Sequence, residues 1–276
     1  FVTAFCRRNG VELFLYDAEK EGVPIPPQPS EEWARELRYT WFDQLAAREE
    51  ALIATAHTCS DQAETLLFRM ARGTGLHGLA GIPPCRGIYR RPCLCLTRAD
   101  TEAYCAALGQ NYVQDETNAD DLYARNRIRH TVVPALQSVN PAAEQAIARL
   151  CRQMRALDDW LTAEAAALLQ AAAVQGGYEV ETLCRARGPV LDAALHALIS
   201  PVRDAEEKYV NLLRFLVLQR EGALQLTPEV TYKIKNGVLL RLTPQGIKPP
   251  PAPPQPLDEG SFSLPGGYFV EFRRVK

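Results

Sequence analysis

Residues 53–84 read IATAHTCSDQAETLLFRMARGTGLHGLAGIPP, and this stretch decides the fold expected for the first half of the chain. The run of small apolar residues at Ala51–Ala56 is typical of a buried strand in a parallel sheet. A helix over Asp61–Ala71 follows, with Ser60 as the expected N-cap. A strand, a sharp turn, a helix and a glycine-rich loop in this order indicate an α/β domain.

The same stretch concentrates groups that bind phosphate or metal. Asp61, Glu64 and Thr65 share one face of the predicted helix, at positions i, i+3 and i+4. His57 follows the strand, at the carboxyl edge where ligands of a parallel sheet bind. Acids at a helix start disfavour direct phosphate binding, so we expect a nucleotide phosphate held through Mg²⁺, with Asp61 or Glu64 near the ion. Spacing alone leaves open the alternative of acids that only stabilise the helix dipole.

The segment Arg72-Gly73-Thr74-Gly75 ends this helix and has two readings. Gly73 or Gly75 can adopt positive φ and expose backbone N–H groups to a phosphate. An ordinary helix C-cap has the same composition. We therefore treat the loop as a candidate anion site next to the helix.

The rest of the chain predicts further alternation of strand and helix. A helix over residues 1–9 stops at Gly10, a strand covers Val11–Tyr16, and Ser30 caps a helix with large apolar residues at four-residue spacing. Extended chain is expected over Ile88–Leu96, and a polar turn over residues 115–121. Further helices are predicted over residues 98–108, 123–137, 142–173, 183–199 and 204–219, and further strands over 224–226, 231–242 and 261–275, the last with a turn at Gly266-Gly267.

The expected domain organisation follows from these elements. Residues 1–139 form an α/β catalytic domain with a partial Rossmann-like parallel sheet, and residues 140–243 form a helical domain that ends in a β-hairpin. The proline-rich residues 244–260 form an extended linker, and residues 261–276 begin a β-rich C-terminal domain. A lone hairpin is only marginally stable, so we expect more chain beyond it.

Composition limits the class of protein. The 276 residues are 47% hydrophobic and 23% charged, as in a soluble globular protein, and no apolar run is long enough to span a membrane. We expect a cytoplasmic protein with reduced, mostly buried thiols. A zinc site at Cys85, Cys93 and Cys95, completed by Cys105 or His77, is a weaker alternative. The net charge of −2 hides clustered arginines, which favour RNA only weakly.

Several motifs, in order, resemble the tRNA(Ile)-lysidine synthetase family. Its A-H-H-x-x-D-Q-x-E-T pattern appears as Ala56–Thr65, followed by Arg72-Gly73-Thr74-Gly75 and Gly78-Leu79. Further matches are Ala34–Tyr39 for A-R-x-x-R-Y, Asp115–Asn118 for D-x-[ST]-N, Arg125–Arg129 for R-N-x-I-R, and Arg91-Pro92 ahead of a helix with Tyr104. The match is strong over residues 1–160 and looser beyond.

The resemblance implies an N-type ATP pyrophosphatase fold, called a PP-loop domain, and a two-step reaction. ATP adenylates O2 of the wobble cytidine of tRNA(Ile) with a CAU anticodon, and the amine of free lysine then displaces AMP to give lysidine. Mg²⁺ accompanies ATP, and a homodimer is compatible with the family. Mg²⁺ and an arginine can stabilise the charge that develops on phosphate.

The resemblance also assigns residues. Catalytic roles are expected for His57, Asp61, Glu64 and Arg72, with a weak Mg²⁺ site at Asp61. Nucleotide contacts are expected from Gln62, Thr65, Gly73 and Gly75. The lysine and tRNA side is expected to include Arg35, Arg38, Asp115, Asn118, Arg125, Asn126 and Arg129.

Two departures from the family pattern shape the expectation. Thr58, Cys59 and Ser60 replace the second His and the acid before Asp61, which weakens any metal site. The S-G-G-x-D-S phosphate loop is expected upstream of Phe1, so the printed chain should bind ATP poorly without it. Two alternatives stay open: another PP-loop tRNA enzyme, such as a sulfur-inserting one, which the lack of a CxxC pair disfavours, and a non-catalytic RNA-binding remnant.

Overall fold

The computed structural model describes residues 1–113, 124–202, 206–243, 246–247, 260–264 and 268–272. The chain divides into two compact units, Phe1–Ala156 and Leu157–Lys276. The predicted motif Asp115–Asn118, the turn over 115–121, most of the linker 244–260 and the turn at Gly266-Gly267 lie outside the described residues. No described helix is long and apolar enough to cross a membrane.

The first unit combines helices with a small sheet. Its strands are β1 (Ile53–Ala54), β2 (Cys85–Arg86) and β3 (Tyr89–Arg90). Its helices are α1 (Val2–Asn9), α2 (Glu31–Arg48), α3 (Cys59–Ala71), α4 (Leu76–Leu79), α5 (Arg98–Ala107), α6 (Ala124–Arg127), α7 (Val133–Val139) and the first part of α8 (Ala143–Ala172), with a 3₁₀ turn at Pro92–Cys95 and a π turn at Ile128–Val132.

The sheet confirms the α/β class, although its strands are short. β1 pairs in parallel with β3, and β2 pairs with β3 in the antiparallel direction. The predicted strand Ala51–Ala56 contracts to two residues because only its centre reaches the backbone of β3. The predicted strand Val11–Tyr16 is wrong: this segment has no strand partner in the described chain, and Val11 and Leu15 are exposed.

Local capping chemistry sets the helix ends as expected. The Ser30 hydroxyl accepts a hydrogen bond from the Trp33 N–H and starts α2. Gly10 ends α1 with a φ of 64°, a left-handed conformation that glycine adopts without steric cost. α8 spans almost the residues predicted for the long helix. Helix boundaries set by neighbouring residues were therefore predictable.

Proline usually interrupts a helix, but Pro134 does not interrupt this one. The chain passes from α6 through the wide π turn into α7 with helical backbone angles throughout, and Pro134 lies in the first turn of α7. Proline lacks a backbone N–H and clashes with the preceding turn of a regular helix. A wider turn before the proline lets the helix continue, which a periodic pattern does not reveal.

The second unit combines helices with a sheet. It contains α9 (Val180–Cys184), α10 (Gly188–Ile199) and α11 (Glu207–Gln219). Its main sheet has the strand order β4-β5-β8-β7-β6, with β9 paired to β8, and β10 pairs with β11 separately. The strands are β4 (Ala173–Val174), β5 (Gly177–Glu179), β6 (Ala223–Thr227), β7 (Val230–Lys235), β8 (Val238–Thr243), β9 (Gly246–Ile247), β10 (Gly260–Leu264) and β11 (Tyr268–Phe272).

The expected hairpin of this unit is therefore part of a larger sheet. The segment predicted as one strand over 231–242 is two strands, β7 and β8, joined at Asn236-Gly237 with φ values of 51° and 73°. Asn-Gly is the strongest short hairpin signal, because both positions need positive φ. The core of the unit is one apolar cluster that α10, α11 and the sheet share.

Candidate active site

The start of α3 carries the motif residues, and a reciprocal cap fixes it. The Thr58 hydroxyl accepts from the Asp61 N–H at 3.4 Å, while Asp61 Oδ2 accepts from the Thr58 N–H and hydroxyl, both at 2.8 Å. This capping box satisfies two backbone donors at the helix end. The N-cap is thus Thr58, and the prediction of Ser60 is wrong.

Ser60 has a different role, because it lies inside the helix. Its hydroxyl accepts a hydrogen bond from the Arg98 N–H at 3.1 Å, and the Cys59 N–H donates to the Leu96 carbonyl at 2.7 Å. These bonds fix the start of α5 against the start of α3. Cys59 and Ser60 therefore hold the two helices together.

Glu64 lies at the centre of a cluster of arginines. Its carboxylate is only 2% exposed and accepts from Arg129 Nε at 2.6 Å and Arg125 Nε at 3.0 Å. Arg129 Nη2 adds a second bond at 3.1 Å, and Arg98 Nη2 lies 3.7 Å away. The hydrogen bond to Glu64 is also the main cause that raises the pKa of Arg129. One buried carboxylate thus compensates guanidinium groups from α5, α6 and the π turn.

Asp61 extends this cluster toward solvent. Its Oδ1 lies 3.4 Å from Arg125 Nη2, so Arg125 bridges Asp61 and Glu64. Burial raises the pKa of the Asp61 carboxyl, but the bonds from Thr58 and the charge of Arg125 outweigh it and hold the pKa below its usual range. Asp61 is therefore ionised at neutral pH.

Gln62, predicted to contact the nucleotide, holds the loop after α4. Its amide donates to the Ile82 carbonyl at 3.1 Å and accepts from the Ile82 N–H at 2.5 Å. Arg69 donates to the carbonyls of Gly78 and Gly81 at 3.0 and 3.1 Å, and Arg155 donates to the Gly81 carbonyl at 3.2 Å. These three side chains fix the loop that forms one wall of the site.

A cavity of about 390 Å³ opens beside α3. Its lining combines two acids with five arginines and a histidine: Glu31, Arg35, His57, Glu64, Thr65, Phe68, Arg69, Ile82, Pro83, Arg86, Arg91, Ala124 and Arg125. Pockets of this size hold small organic ligands. The excess of guanidinium groups makes the cavity suited to an anion.

Tyrosine rings position two of these arginines at the cavity. Arg35 lies over the Tyr39 ring at 4.8 Å, and Arg86 lies 5.8 Å from the centroids of both Tyr39 and Tyr89. The Tyr89 hydroxyl donates to Asp43 Oδ1 at 2.5 Å, which anchors the ring. Guanidinium groups stacked in this way keep their charge and their in-plane donors available.

His57 faces this positive environment as a half-buried side chain. Its Nδ1 lies 2.9 Å from the Thr55 hydroxyl. Burial is the main cause that lowers the pKa of the imidazole, and the charges of Arg91, Arg125 and Arg35 lower it further, against the opposing effect of Asp61. His57 is therefore neutral at pH 7 and can accept a proton.

The remaining residues with predicted catalytic or nucleotide-binding roles lie at different places along and after α3. Thr65 lines the cavity. Arg72 is exposed, with its guanidinium 5.3 Å from the Phe68 ring, and Gly73 adopts positive φ, whereas Gly75 does not.

The predicted lysine and tRNA residues divide in the same way. Arg35, Arg125 and Arg129 belong to the cavity or to the Glu64 cluster, Asn126 is buried beside them, and Arg38 is exposed. Asp115 and Asn118 lie outside the described residues.

No group of three or more His, Cys, Asp or Glu side chains in the described ranges is arranged to hold a metal ion. This includes Cys85, Cys93 and Cys95, which were the candidates for zinc. All eight cysteines are unpaired, as expected for reduced thiols, but only Cys6, Cys59 and Cys151 are buried.

Sequence reasoning missed Arg69 and assigned no site role to Arg91 or Arg155. Arg69 lies seven residues after Gln62, two turns along the same helix face, so helical spacing offered a signal. Arg155 belongs to a run of arginines at three-residue spacing. Arg91 was part of a quoted motif, but nothing in its neighbours indicates burial.

Comparison with known proteins agrees with this geometry. Residues 1–136 match the family model of the PP-loop domain. Residues 1–136 are therefore similar to a PP-loop domain, a class that uses ATP, and the α/β fold of the first unit fits this class.

Similar proteins with a curated description name a particular enzyme. The chain is 39% identical over 151 residues to the tRNA(Ile)-lysidine synthase of Bacteroides thetaiotaomicron, covering 53% of this chain and 35% of the relative. It is 41% identical over 166 residues to the synthase of Thermosipho africanus, covering 58% and 38%. It is 46% identical over 122 residues to that of Geobacter sulfurreducens, covering 43% and 26%. The matched stretches thus span about a third of these relatives.

Proposed function

We propose that this chain belongs to a ligase that joins free lysine to C2 of the wobble cytidine of a tRNA(Ile) with a CAU anticodon, at the expense of ATP. The similarity to proteins named tRNA(Ile)-lysidine synthase supports this function. A place in the cytoplasm, where tRNA is modified, goes with it, and a homodimer stays a prediction.

One observation carries the proposal. Arg125 and Glu64 are 61 positions apart in the sequence, yet they form an ion pair at one cavity, where Asp61 joins them. The two motifs quoted for the resemblance therefore build a single site. A pair of carboxylates among arginines suits an enzyme that handles a cationic amine and an anionic nucleotide together.

The chain's own residues suggest distinct roles in this reaction. His57, neutral at pH 7, takes the proton that the lysine amine loses as its nitrogen bonds to C2 and the C2–O bond to AMP breaks. Asp61, ionised and only partly neutralised by Arg125, attracts the substrate ammonium group. Glu64 orients Arg125 and Arg129 rather than reacting itself.

The other predicted site residues have proposed roles that depend on where each one lies. Thr65 lies in the cavity and can contact the nucleotide, whereas Gln62 shapes the wall through Ile82. Arg72 and Gly73 lie at the exposed end of α3, where they can meet the bound RNA. We also propose residues 140–243 as a tRNA-binding region, with no assigned chemistry.

The described carboxylates fit an Mg²⁺ ion that the nucleotide carries, but not a dedicated metal site. Both oxygens of Glu64 accept from guanidinium groups, and Asp61 Oδ2 closes the helix cap. Asp61 Oδ1 is held more loosely, 3.4 Å from Arg125 Nη2, and Mg²⁺ is often bound through one carboxylate together with substrate phosphates. When bound, the ion would neutralise phosphate charge.

The test is AMP release that depends on both lysine and tRNA(Ile). We expect turnover by a protein in which an S-G-G-x-D-S phosphate loop precedes this chain, and little by the chain as printed. An extended protein that binds tRNA without releasing AMP would support the non-catalytic alternative. Bound iron or sulfur would support a sulfur-inserting enzyme instead.

A further inference from the structure

Arg91 is the most deeply buried arginine of the cavity, with 5% of its surface exposed. Its backbone N–H donates to the Pro84 carbonyl at 2.9 Å, and its Nη1 donates to the Pro83 carbonyl at 2.7 Å. These two bonds hold the guanidinium rigidly against the loop before β2. The side chain is therefore fixed in position before any ligand arrives.

The Nε–H of Arg91 is buried and has no hydrogen-bond partner among the described residues. A buried donor without a partner lowers stability, and more so when the group is charged. Such groups are rare in native proteins and often mark a site where something binds. No described carboxylate forms an ion pair with Arg91, so its charge is uncompensated as well.

The other arginines that line the cavity also leave positive charge that no carboxylate of the described residues fully neutralises. In the cavity, Arg125 is paired with Glu64, and Arg69 is bonded to backbone carbonyls. Arg35 and Arg86 stack on tyrosine rings, which leaves their N–H groups available. Among the described residues, Arg91, Arg35 and Arg86 thus line one cavity without a carboxylate partner.

We propose that Arg91, together with Arg35 and Arg86, binds a phosphoryl group of the substrate in this cavity. A phosphoryl group offers three acceptor oxygens and a charge that several arginines can share, whereas a single carboxylate needs one planar partner. This inference deepens the proposed function and rests on it for the source of the phosphate. That source is either the nucleotide or the RNA backbone.

Binding to two probes distinguishes the sources. The protein is titrated with a non-hydrolysable ATP analogue and with an RNA stem-loop that carries the CAU anticodon, and the variant Arg91→Gln is compared with Arg48→Gln. Arg48 is an exposed arginine paired with Glu49, so its loss removes the same charge. We expect R91Q to weaken one probe at least tenfold, about 1.4 kcal/mol, and R48Q to change neither more than twofold.

A direct readout keeps the inference testable if R91Q does not fold. The ¹⁵Nε resonance of Arg91, assigned with Arg91→Lys, should shift when the bound probe is added, because Nε gains an acceptor. Three outcomes would overturn the inference. The Nε resonance could stay unshifted while the probe is bound, neither probe could bind at millimolar concentration, or R91Q could affect only the binding of lysine.

This outcome is separable from the proposed function. If the unaltered protein released no AMP in the presence of lysine but bound phosphate through Arg91, only the ligase proposal would be overturned. Normal AMP release by R91Q, with an unchanged KM for ATP and unchanged affinity for RNA, would overturn the role of Arg91 alone.

Discussion

The two units bury different kinds of side chain at their centres. All seven buried polar or charged residues of the described chain lie in the first unit: Thr58, Ser60, Gln62, Glu64, Arg91, Thr97 and Asn126. The second unit instead has a continuous cluster of leucine, isoleucine, valine and tyrosine. In the first unit, most buried apolar residues are the small residues alanine and cysteine.

This difference separates two ways of stabilising a fold. Apolar burial stabilises without demanding exact partners, at about 25 cal/mol per Å². Buried polar groups stabilise only when every donor and acceptor is satisfied, and a pair left half-made is strongly unfavourable. The first unit therefore depends on specific bonds, and the same bonds place its charges around the cavity.

The largest effect should follow from breaking the polar centre. Glu64→Ala leaves Arg125 and Arg129 without their buried carboxylate, so we expect the free energy of unfolding of the first unit to fall by about 4 kcal/mol. Hydrogen exchange of the α3 amides measures this loss. The control is Glu181→Ala, which removes a 46%-exposed carboxylate paired with Arg220 and should cost at most about 1 kcal/mol. Equal costs would show that the two ion pairs do not differ.

A somewhat smaller effect should follow from opening the apolar core. Leu213 is fully buried and Leu212 beside it is 50% exposed, so the two positions form a matched pair. Leu213→Ala should cost about 3 kcal/mol through lost burial and a cavity, and should lower amide protection in α10 and α11. Leu212→Ala should cost much less. If both variants lowered protection equally, the core would not lie where the structure places it.

The smallest expected effect is on the pH dependence of stability, and it concerns the first unit, which buries polar groups. The pKa of His57 is lower in the folded chain than its ordinary value, so the unfolded chain binds a proton first as the pH falls below about 6.5. Stability contributed by neutral His57 is thus complete above that pH and decreases below it.

His57→Gln should reduce the loss of unfolding free energy between pH 7.5 and 5.5, as measured by urea denaturation at each pH. His77→Gln, at an exposed position, serves as the control. Identical pH dependence of His57→Gln and the unaltered protein would remove the argument for a neutral imidazole.

The candidate site was only partly predictable for a related reason. The sequence indicated that Asp61, Glu64 and Arg125 are functional groups, because they occur in motifs with a fixed spacing. It did not indicate that Glu64 compensates several arginines or that Gln62 binds the Ile82 peptide. Both roles depend on residues distant in sequence, which local patterns do not identify.

Features that neighbouring residues control could be predicted from the sequence. These include the Ser30 cap of α2, the glycine stop at Gly10, the long helix α8 and the α/β class of the first unit. Caps and helical periodicity act over a few residues, so their free energies are largely set by local sequence.

The role of each candidate residue depended on the tertiary structure. It made Thr58 rather than Ser60 the cap, because the Ser60 hydroxyl bonds to α5. It also limited the strand at Ala51–Ala56 to two residues, and left Arg91 buried with a donor unused. These outcomes depend on which groups distant segments bring into contact, and hydrogen bonds and burial are properties of those contacts rather than of the residues alone.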